Sequence, residues 1–182
     1  PERPELGKAK ITFGKEIYVE KSDFMIEPVK KYFRLFPGNE VRFRGAYFLT
    51  CTSYDLDENG EVTAIHCTYD PASKGGNSPD GRKVKGTIHW AGPNAFKAEV
   101  RLYDRLFTVE DPAAVSDEEF PSVINKDSLI VLKDCLIEET IKNAHPESSF
   151  QFMRNGYFCV DKDSTEEAPI FNRTVELNSS WK

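Results

Sequence analysis

The chain has 182 residues, with 24 lysines and arginines against 30 aspartates and glutamates, so its formal net charge is −6. This balance excludes a protein whose whole surface attracts polyanions, and any contact with nucleic acid must therefore be local. No apolar run approaches the roughly 20 residues that span a membrane, and no signal-peptide pattern opens the chain, so we expect a cytoplasmic protein.

The first part of the chain carries only short structural signals. Residues 1–7 are proline-rich and lack an initiator methionine, and we interpret them as the middle of a longer protein. Residues 11–13 and 16–20 alternate apolar and polar side chains on either side of Gly14, which predicts two short strands or one bent strand.

A helix is predicted over residues 28–35, downstream of a helix-start signal at Ser22 and Asp23 and upstream of the terminating Gly38. Apolar side chains recur there with the spacing of one helix face, which we expect to be buried: Val29, Tyr32, Phe33 and Phe36. Three cations fall largely outside that face: Lys30, Lys31 and Arg34.

The rest of the chain predicts many short strands, with turns about every ten residues and no alternation of strands with helices. The acidic residues 110–120 form a solvated loop in this interpretation, and residues 138–144 form a short helix. Such a pattern indicates an all-β protein, and we expect two tandem β-barrel regions, 1–92 and 93–182, that exchange a strand. The predicted strands cover residues 40–52, 61–69, 83–90, 97–109, 129–133, 150–154, 157–160 and 170–177, with tight hairpins at Asn59-Gly60 and Asn155-Gly156.

Two arginines occupy alternate positions of the strand predicted over residues 40–52. Because successive side chains of a strand point to opposite faces, Val41 and Phe43 enter the core while Arg42 and Arg44 stand side by side in solvent. Such a pair suits a strip that binds unpaired bases and phosphates. An ordinary solvated strand face is an equally good interpretation of this stretch alone.

Two further groups of polar residues are candidates for nucleic-acid contacts. Gln151 and Arg154 flank the second hairpin together with Tyr157, and a glutamine amide can satisfy both the carbonyl acceptor and the imino donor of uracil. An exposed polar hairpin is the alternative. The other group lies at a loop-to-strand junction and could hold phosphates: Arg82, Lys83 and Lys85.

A third group, around Arg101, Asp104 and Arg105, is explained better by a structural ion-pair cluster than by RNA binding.

The sequence gives no support for a catalytic or metal site. It has neither a nucleophile elbow nor a phosphate-cradling glycine loop. The histidines are scattered, and no cysteines have a Cys-x-x-Cys spacing, so we expect no metal and no catalytic residue in this chain. The cysteines are expected to be reduced core residues: Cys51, Cys67, Cys135 and Cys159.

Four blocks of sequence carry a family resemblance: DGRKVKGTIHW at 80–90, EVRLYDRLF at 99–107, FQFMRNGYFC at 150–159 and FNRTV at 171–175. In this order they resemble the C-terminal anticodon-binding region of the glutaminyl-tRNA synthetase family. The resemblance implies two six-stranded antiparallel β-barrels, related to a ribosomal protein family that binds 5S rRNA, which bind the anticodon of tRNA(Gln).

The resemblance also implies what lies outside this region. An N-terminal catalytic core would join glutamine to tRNA with ATP and magnesium, whereas this region would bind RNA without catalysis and without a cofactor of its own. We expect a monomer.

Roles for individual residues follow from the resemblance. Arg42 and Arg44 match the family arginines at the first anticodon base, and Arg34 matches the arginine at the third. Gln151 and Arg154 match the pair at the middle base. Two neighbours of Arg34 are further expected RNA contacts: Lys31 and Tyr32. The chain departs from the family pattern at Lys31 and Phe33, where the family carries glutamine and lysine.

Other interpretations remain open at this point. The same barrels occur in archaeal- and eukaryotic-type glutamyl-tRNA synthetases, although the block at 150–158 favours glutamine. A ribosome-associated barrel that binds rRNA by shape and a protein-interaction barrel are the alternatives from other classes.

Overall fold

A computed structural model describes residues 10–78 and 80–177. The interpretation of residues 1–7 lies outside these described residues. Within them the chain contains nine strands and five 3₁₀ helices, so the predicted all-β class is confirmed. The described residues divide into two compact units, residues 12–93 and residues 94–177 together with 10–11. Each unit contains its own sheet.

The sheet of the first unit has four strands in the order β3-β2-β1-β4. β1 and β2, and β2 and β3, are antiparallel, whereas β1 and β4 are parallel. The hairpin between β2 and β3 turns at Gly60, whose φ of 80° suits glycine, so the predicted Asn-Gly turn is confirmed. The strands are β1 (Glu40–Phe43), β2 (Phe48–Leu56), β3 (Val62–Asp70) and β4 (Thr87–Ile88).

The sheet of the second unit has five strands in the order β6-β5-β9-β8-β7. β9 lies between β5, to which it is parallel, and β8, to which it is antiparallel. β6 and β7 are the two edges. The strands are β5 (Phe96–Tyr103), β6 (Leu129–Ile137), β7 (Ser149–Phe152), β8 (Gly156–Val160) and β9 (Ile170–Val175).

Each sheet covers a separate apolar core, as alternating apolar side chains require. The first core is built from one face of β1 and β2 with Leu35, Ile88 and Trp90. The second core is built from Ala98, Val100, Phe158, Val160, Phe171 and Ile137. The 3₁₀ helices are short connectors: Lys21–Asp23, Pro71–Ser73, Pro112–Ala114, Phe120–Val123 and Glu139–Ile141.

The predicted helix over residues 28–35 is wrong. This segment is irregular, and Lys31 has a left-handed φ of 69° that interrupts any right-handed helix. The expected buried face is also wrong, because Val29 is 63 % exposed and Phe33 is 48 % exposed. The buried side chain of this segment is Leu35, which is 1 % exposed.

The strand predicted over residues 40–52 is two strands, β1 and β2, joined by a tight turn. Gly45 has a φ of 71° in this turn, and the N–H of Ala46 donates to the carbonyl of Phe43 at 2.9 Å. The chain therefore reverses direction directly after β1. Arg44 lies in the turn and not on the strand that carries Arg42.

The two sheets differ from the predicted six-stranded antiparallel barrels. Within the described ranges they have four and five strands, each includes one parallel pair, and neither is closed. One reason is that residues 11–13 and 16–20 form no strand. Residues 16–20 contribute an isolated bridge between Tyr18 and Ala91, which does not extend the ladder. The predicted strand over residues 83–90 is correspondingly reduced to β4.

Candidate nucleic-acid interface

Gly86 lies where β1 and the segment around Phe33 come closest to one another. Its carbonyl oxygen accepts a hydrogen bond from the backbone N–H of Arg42 at 2.8 Å. A Cβ atom on Gly86 would lie 1.9 Å from the carbonyl oxygen of Phe33, which is far inside van der Waals contact. Glycine therefore allows the two predicted RNA-binding segments of the first unit to meet at one backbone position.

Residues 25–34 form an exposed excursion that we call the basic loop. Backbone contacts close it at its base, where Phe24 and Leu35 form a parallel bridge. The N–H of Met25 donates to the carbonyl of Leu35 at 3.1 Å, and the N–H of Leu35 donates to the carbonyl of Asp23 at 2.9 Å. Because Leu35 is part of the core, the loop extends from a fixed base.

Arg34 and Tyr32 are tied back to the base of the basic loop. The Nη1 of Arg34 lies 3.1 Å from Oδ1 of Asp23, a carboxylate with no exposed surface, and donates to the carbonyl of Ser22 at 3.0 Å. The Tyr32 hydroxyl donates to the same carbonyl at 3.1 Å. The ion pair offsets the cost of burying the Asp23 charge. It also orients the guanidinium. The Arg34 side chain remains 37 % exposed.

The other side chains of the basic loop face solvent. Lys30, Lys31, Val29 and Phe33 are all exposed. The ring of Phe33 has the Nζ of Lys85 above it, 5.2 Å from the ring centroid, a cation–π contact.

Arg42 is half-buried beside Phe48, with its guanidinium carbon 5.2 Å from the ring centroid. Its Nε is buried and has no hydrogen-bond partner among the described residues. Arg44 is exposed, and its backbone is fixed on both sides: its N–H donates to Ile88 at 3.1 Å, and its carbonyl accepts from Nε1 of Trp90 at 3.0 Å. The two arginines are thus held by β4 and its extension.

Arg82 lies against the same aromatic ring, with its guanidinium carbon 5.1 Å from the Phe48 centroid. Its guanidinium forms ion pairs with Glu40 at 2.9 Å, Asp70 at 2.5 Å and Asp80 at 2.6 Å. Hydrogen bonds to these carboxylates raise the pKa of Arg82 above its usual range.

The carboxylates around Arg82 are stabilised in their charged form. Hydrogen bonds from the Ser78 hydroxyl, the Arg82 backbone N–H and the Arg82 guanidinium lower the pKa of Asp80 to about 2. The Arg82 guanidinium is the main cause of the lowered pKa of Asp70. Of the three predicted phosphate contacts, Arg82 is therefore engaged in ion pairs, whereas Lys83 and Lys85 are exposed.

The predicted hairpin between β7 and β8 is confirmed in the second unit. Gln151 and Tyr157 are a cross-strand pair, and both are exposed. The N–H of Asn155 donates to the carbonyl of Phe152 at 3.0 Å, and Arg154 occupies the turn with a φ of 70°. The hairpin thus exposes an amide and a phenol ring side by side on its strands and a guanidinium in its turn.

Comparison with known families identifies the family of this chain. Two family models, both described as tRNA synthetases class I (E and Q), anti-codon binding domain, match residues 1–70 and 87–161. The chain belongs to this family. The class I E/Q anticodon-binding family thus covers both units of the fold.

Curated relatives match over the whole chain. They include the glutamine–tRNA ligases of Bradyrhizobium diazoefficiens, 48% identical over 182 residues, of Vibrio parahaemolyticus, 49% identical over 183 residues, and of Clostridium perfringens, 50% identical over 184 residues. Each alignment covers 100% of this chain and 32% to 33% of the relative. The chain therefore spans about a third of the length of these relatives.

The sequence pattern does not identify two residues at the centre of this candidate surface, Phe33 and Gly86. Phe33 was assigned to a buried helix face, and Gly86 was treated as an ordinary strand residue. The sequence carries no signal for the exposure of Phe33, because Pro28 is compatible with the first turn of a helix. Nothing in the sequence marks the approach of Gly86 to Phe33, since that contact is set by the tertiary fold.

The group around Arg101 forms an ion-pair cluster, as one of the two interpretations expected. Arg101 pairs with Glu99 at 2.7 Å and with Asp161 at 3.2 Å. Glu99 is the main cause of the raised pKa of Arg101. The partners differ from the predicted ones, because the carboxylate of Asp104 accepts from the backbone N–H of Arg105 at 2.6 Å.

The four cysteines are free thiols, and only Cys51 is fully buried. Cys51 lies opposite Cys67 on neighbouring strands. Burial raises the pKa of both thiols, that of Cys67 to about 12, so neither is a thiolate at neutral pH. The described residues contain no group of three or more histidine, cysteine or acidic side chains placed to hold a metal. They also contain no helix with the length and apolar character needed to cross a membrane.

Proposed function

We propose that this chain recognises the anticodon of tRNA(Gln) as part of a glutamine–tRNA ligase. The observation that carries the proposal is the match of the whole chain, at 48% to 50% identity, to glutamine–tRNA ligases from distant bacteria. The family models alone do not separate glutamine from glutamate. The curated relatives favour glutamine.

The first unit supplies the readers of the first and third anticodon bases in this proposal. A glutamine anticodon begins with C or U, and Arg42 and Arg44 can donate to the O2 acceptor that both pyrimidines share. The third base is guanine, whose O6 and N7 suit the fork of Arg34. The Asp23 ion pair supports this role because it fixes the direction of that guanidinium. Lys31 and Tyr32 are the accompanying contacts.

The second unit supplies the reader of the middle base. This base is uracil, which presents an acceptor and a donor on its pairing edge. The exposed amide of Gln151 can satisfy both, and Arg154 adds a cation beside it. Lys83 and Lys85 are the proposed phosphate contacts of the first unit. Arg82 joins them only if a phosphate replaces one of its three carboxylates.

The remaining proposals concern the complete enzyme. We infer that a catalytic core elsewhere in the polypeptide uses ATP and magnesium to join glutamine to tRNA, and that the present chain is non-catalytic and binds no cofactor. We further infer a monomeric, cytoplasmic enzyme. The arrangement of the chain as two six-stranded barrels remains a prediction. The exchange of a strand between the barrels is also still a prediction.

Binding of the chain to tRNA transcripts tests the proposal. The anticodons of tRNA(Gln) and tRNA(Glu) differ at the third base, guanine against cytosine. We expect the chain to prefer a tRNA(Gln) transcript by about tenfold or more over the same transcript with cytosine at that position, since one good base contact is worth about 1–3 kcal/mol. Fluorescence anisotropy titration measures both affinities.

A matched control separates base reading from general attraction to RNA. Arg34→Lys keeps the charge but loses the fork, so it should reduce the preference for guanine with little change in salt dependence. Equal binding of the two transcripts by the unaltered chain, or a preference for the cytosine form, contradicts the proposal. Preferential binding of 5S rRNA fragments would favour the ribosomal alternative instead.

A further inference from the structure

We propose that Phe33 is a stacking platform for an unpaired nucleobase of the anticodon loop, at or next to the third anticodon position. This inference rests on the proposed function and extends it to Phe33, a position at which the chain departs from the family pattern. It starts from an exposure that the fold does not explain: nearly half of the Phe33 side chain, 48 %, is accessible.

The backbone of Phe33 is fixed although its ring is exposed. Its carbonyl oxygen packs against Gly86 so closely that no Cβ fits between them. The neighbouring side chains, Tyr32 and Arg34, both reach back to the carbonyl of Ser22. The backbone of Phe33 is therefore held in place, and the side chains of Tyr32 and Arg34 point towards the base of the loop. The Phe33 ring stays at the surface.

The position of the ring is also restricted. Lys85 lies next to Gly86 in sequence, and its Nζ is 5.2 Å from the centre of the Phe33 ring. A cation above an aromatic ring is attracted by the negative face of the ring. This contact limits the orientations that the ring can take. The protein therefore loses little conformational entropy when a base stacks on the ring.

The charge around the ring favours RNA over a protein partner. The basic loop carries Lys30, Lys31 and Arg34 against the single acid Glu27, and Lys85 adds a further cation. An aromatic ring among cations is the arrangement with which proteins bind single-stranded nucleic acid, because bases stack on the ring while cations meet the phosphates. An apolar protein partner would not select such surroundings.

A double-mutant cycle between protein and RNA tests the proposal. Phe33→Leu removes the flat ring but keeps an apolar side chain, and we expect it to weaken binding of tRNA(Gln) by about tenfold. Abasic nucleotides placed singly through the anticodon loop remove one stacking partner at a time. At one position, the third anticodon base or the next nucleotide, Phe33→Leu should cause no further loss beyond that of the abasic transcript.

The controls keep a negative result informative. Phe33→Tyr preserves the ring and should bind like the unaltered chain. Val29→Ala alters a more exposed apolar residue of the same loop and should leave affinity unchanged. Circular dichroism and urea unfolding of each variant report whether the fold is retained. If Phe33→Tyr binds no better than Phe33→Leu, the loss does not come from the ring and the proposal fails.

The failures of the two proposals are distinguishable. Additive losses at every loop position, or full affinity of Phe33→Leu, overturn the stacking platform while anticodon discrimination by the unaltered chain persists. Absence of discrimination between the guanine and cytosine transcripts overturns anticodon reading itself. Weakened binding of a protein ligand by Phe33→Leu, with RNA binding unchanged, would assign the ring to a protein partner and also overturn the proposal.

Discussion

Gly86 shows how one small residue can organise a surface that is otherwise made of long side chains. It accepts a hydrogen bond from Arg42 and allows the backbone of Phe33 to come within a distance at which any Cβ would clash. Its role is therefore steric. The charge of this surface comes from Lys85, which precedes Gly86, and from Arg42, whose N–H donates to the Gly86 carbonyl.

Substitution of Gly86 tests this steric role at the residue scale. In Gly86→Ala the new Cβ must displace the Phe33 carbonyl, and overpacking of this kind costs on the order of 1–3 kcal/mol. We expect the free energy of unfolding, measured by urea titration, to fall by that amount. Thr87→Ala, at the exposed neighbouring position, should change it by less than about 0.5 kcal/mol. Equal stability of the two variants would contradict the close approach.

The sequence predicts which residues carry charge more reliably than it predicts the partners that surround them in the fold. Arg42 and Arg44 were recognised as a local cationic pair, yet the turn at Gly45 that separates them onto a strand and a loop was missed. Arg82 was expected to meet phosphate, but the fold surrounds it with three carboxylates from distant positions. Such partners come from tertiary pairing, which one-dimensional spacing does not encode.

At the scale of elements, alternation and Asn-Gly turns were the dependable signals. Both predicted hairpins form, and Gly60 supplies the positive φ of the first turn. The second turns at Arg154 and not at the predicted Asn155-Gly156, because Gly156 is already the first residue of β8. The helix over residues 28–35 failed although its apolar spacing was correct. Periodicity describes only which side chains could share a face, and Lys31 with a left-handed backbone removes the helix on which that face depends.

The edge strand β6 has an unusual surface. Four consecutive apolar residues, Leu129 to Leu132, are each 41% to 46% exposed. Within the described residues this part of β6 pairs with β5 alone. An exposed apolar edge is a template for pairing with another strand.

A charged substitution tests the edge. At concentrations high enough for the monomer to associate, Val131→Lys should scatter less light than the unaltered 182-residue chain. Val109→Lys makes the same exchange in an exposed loop, and we expect it to leave association unchanged. Both should alter the free energy of unfolding by no more than about 0.5 kcal/mol, as is usual for surface sites. Identical scattering by the two variants would show that the edge is not the associating surface.

At the scale of the whole molecule, charge segregation matters more than the net charge of −6. The cations of the basic loop are mostly exposed, whereas Arg82 and Arg101 are engaged with carboxylates. A negative chain can thus present a positive surface locally, because part of its basic charge is used for structure and another part for contacts.

Acidification should show how much the ion pairs of Arg82 contribute to the stability of the fold. The pKa values of Asp70 and Asp80 lie below the ordinary 3.8, that of Asp80 at about 2, so their stabilising contribution is complete above the ordinary value. It is lost as pH falls from about 4 towards about 2. We expect Arg82→Gln to be less stable than the unaltered chain at neutral pH and the difference to shrink over this range.

Urea midpoints determined at successive pH values measure that difference. Lys126→Gln removes an equal charge at an exposed loop position, and its difference from the unaltered chain should stay nearly constant. If the gap for Arg82→Gln also stays constant down to about pH 2, the carboxylates around Arg82 do not contribute to the fold as their contacts indicate.

The order of strands in the second unit has a consequence for how the protein is made. β9 lies between β5 and β8 in space but follows both of them in the chain. On the ribosome, β5 pairs early with β6, and β7 pairs with β8 in a separate local hairpin. The two pairs can join only after Ile170–Val175 has left the exit tunnel. The hairpin proposed to read the middle anticodon base therefore joins its sheet only after β9 has emerged, whereas the sheet of the first unit is complete once β4 has emerged.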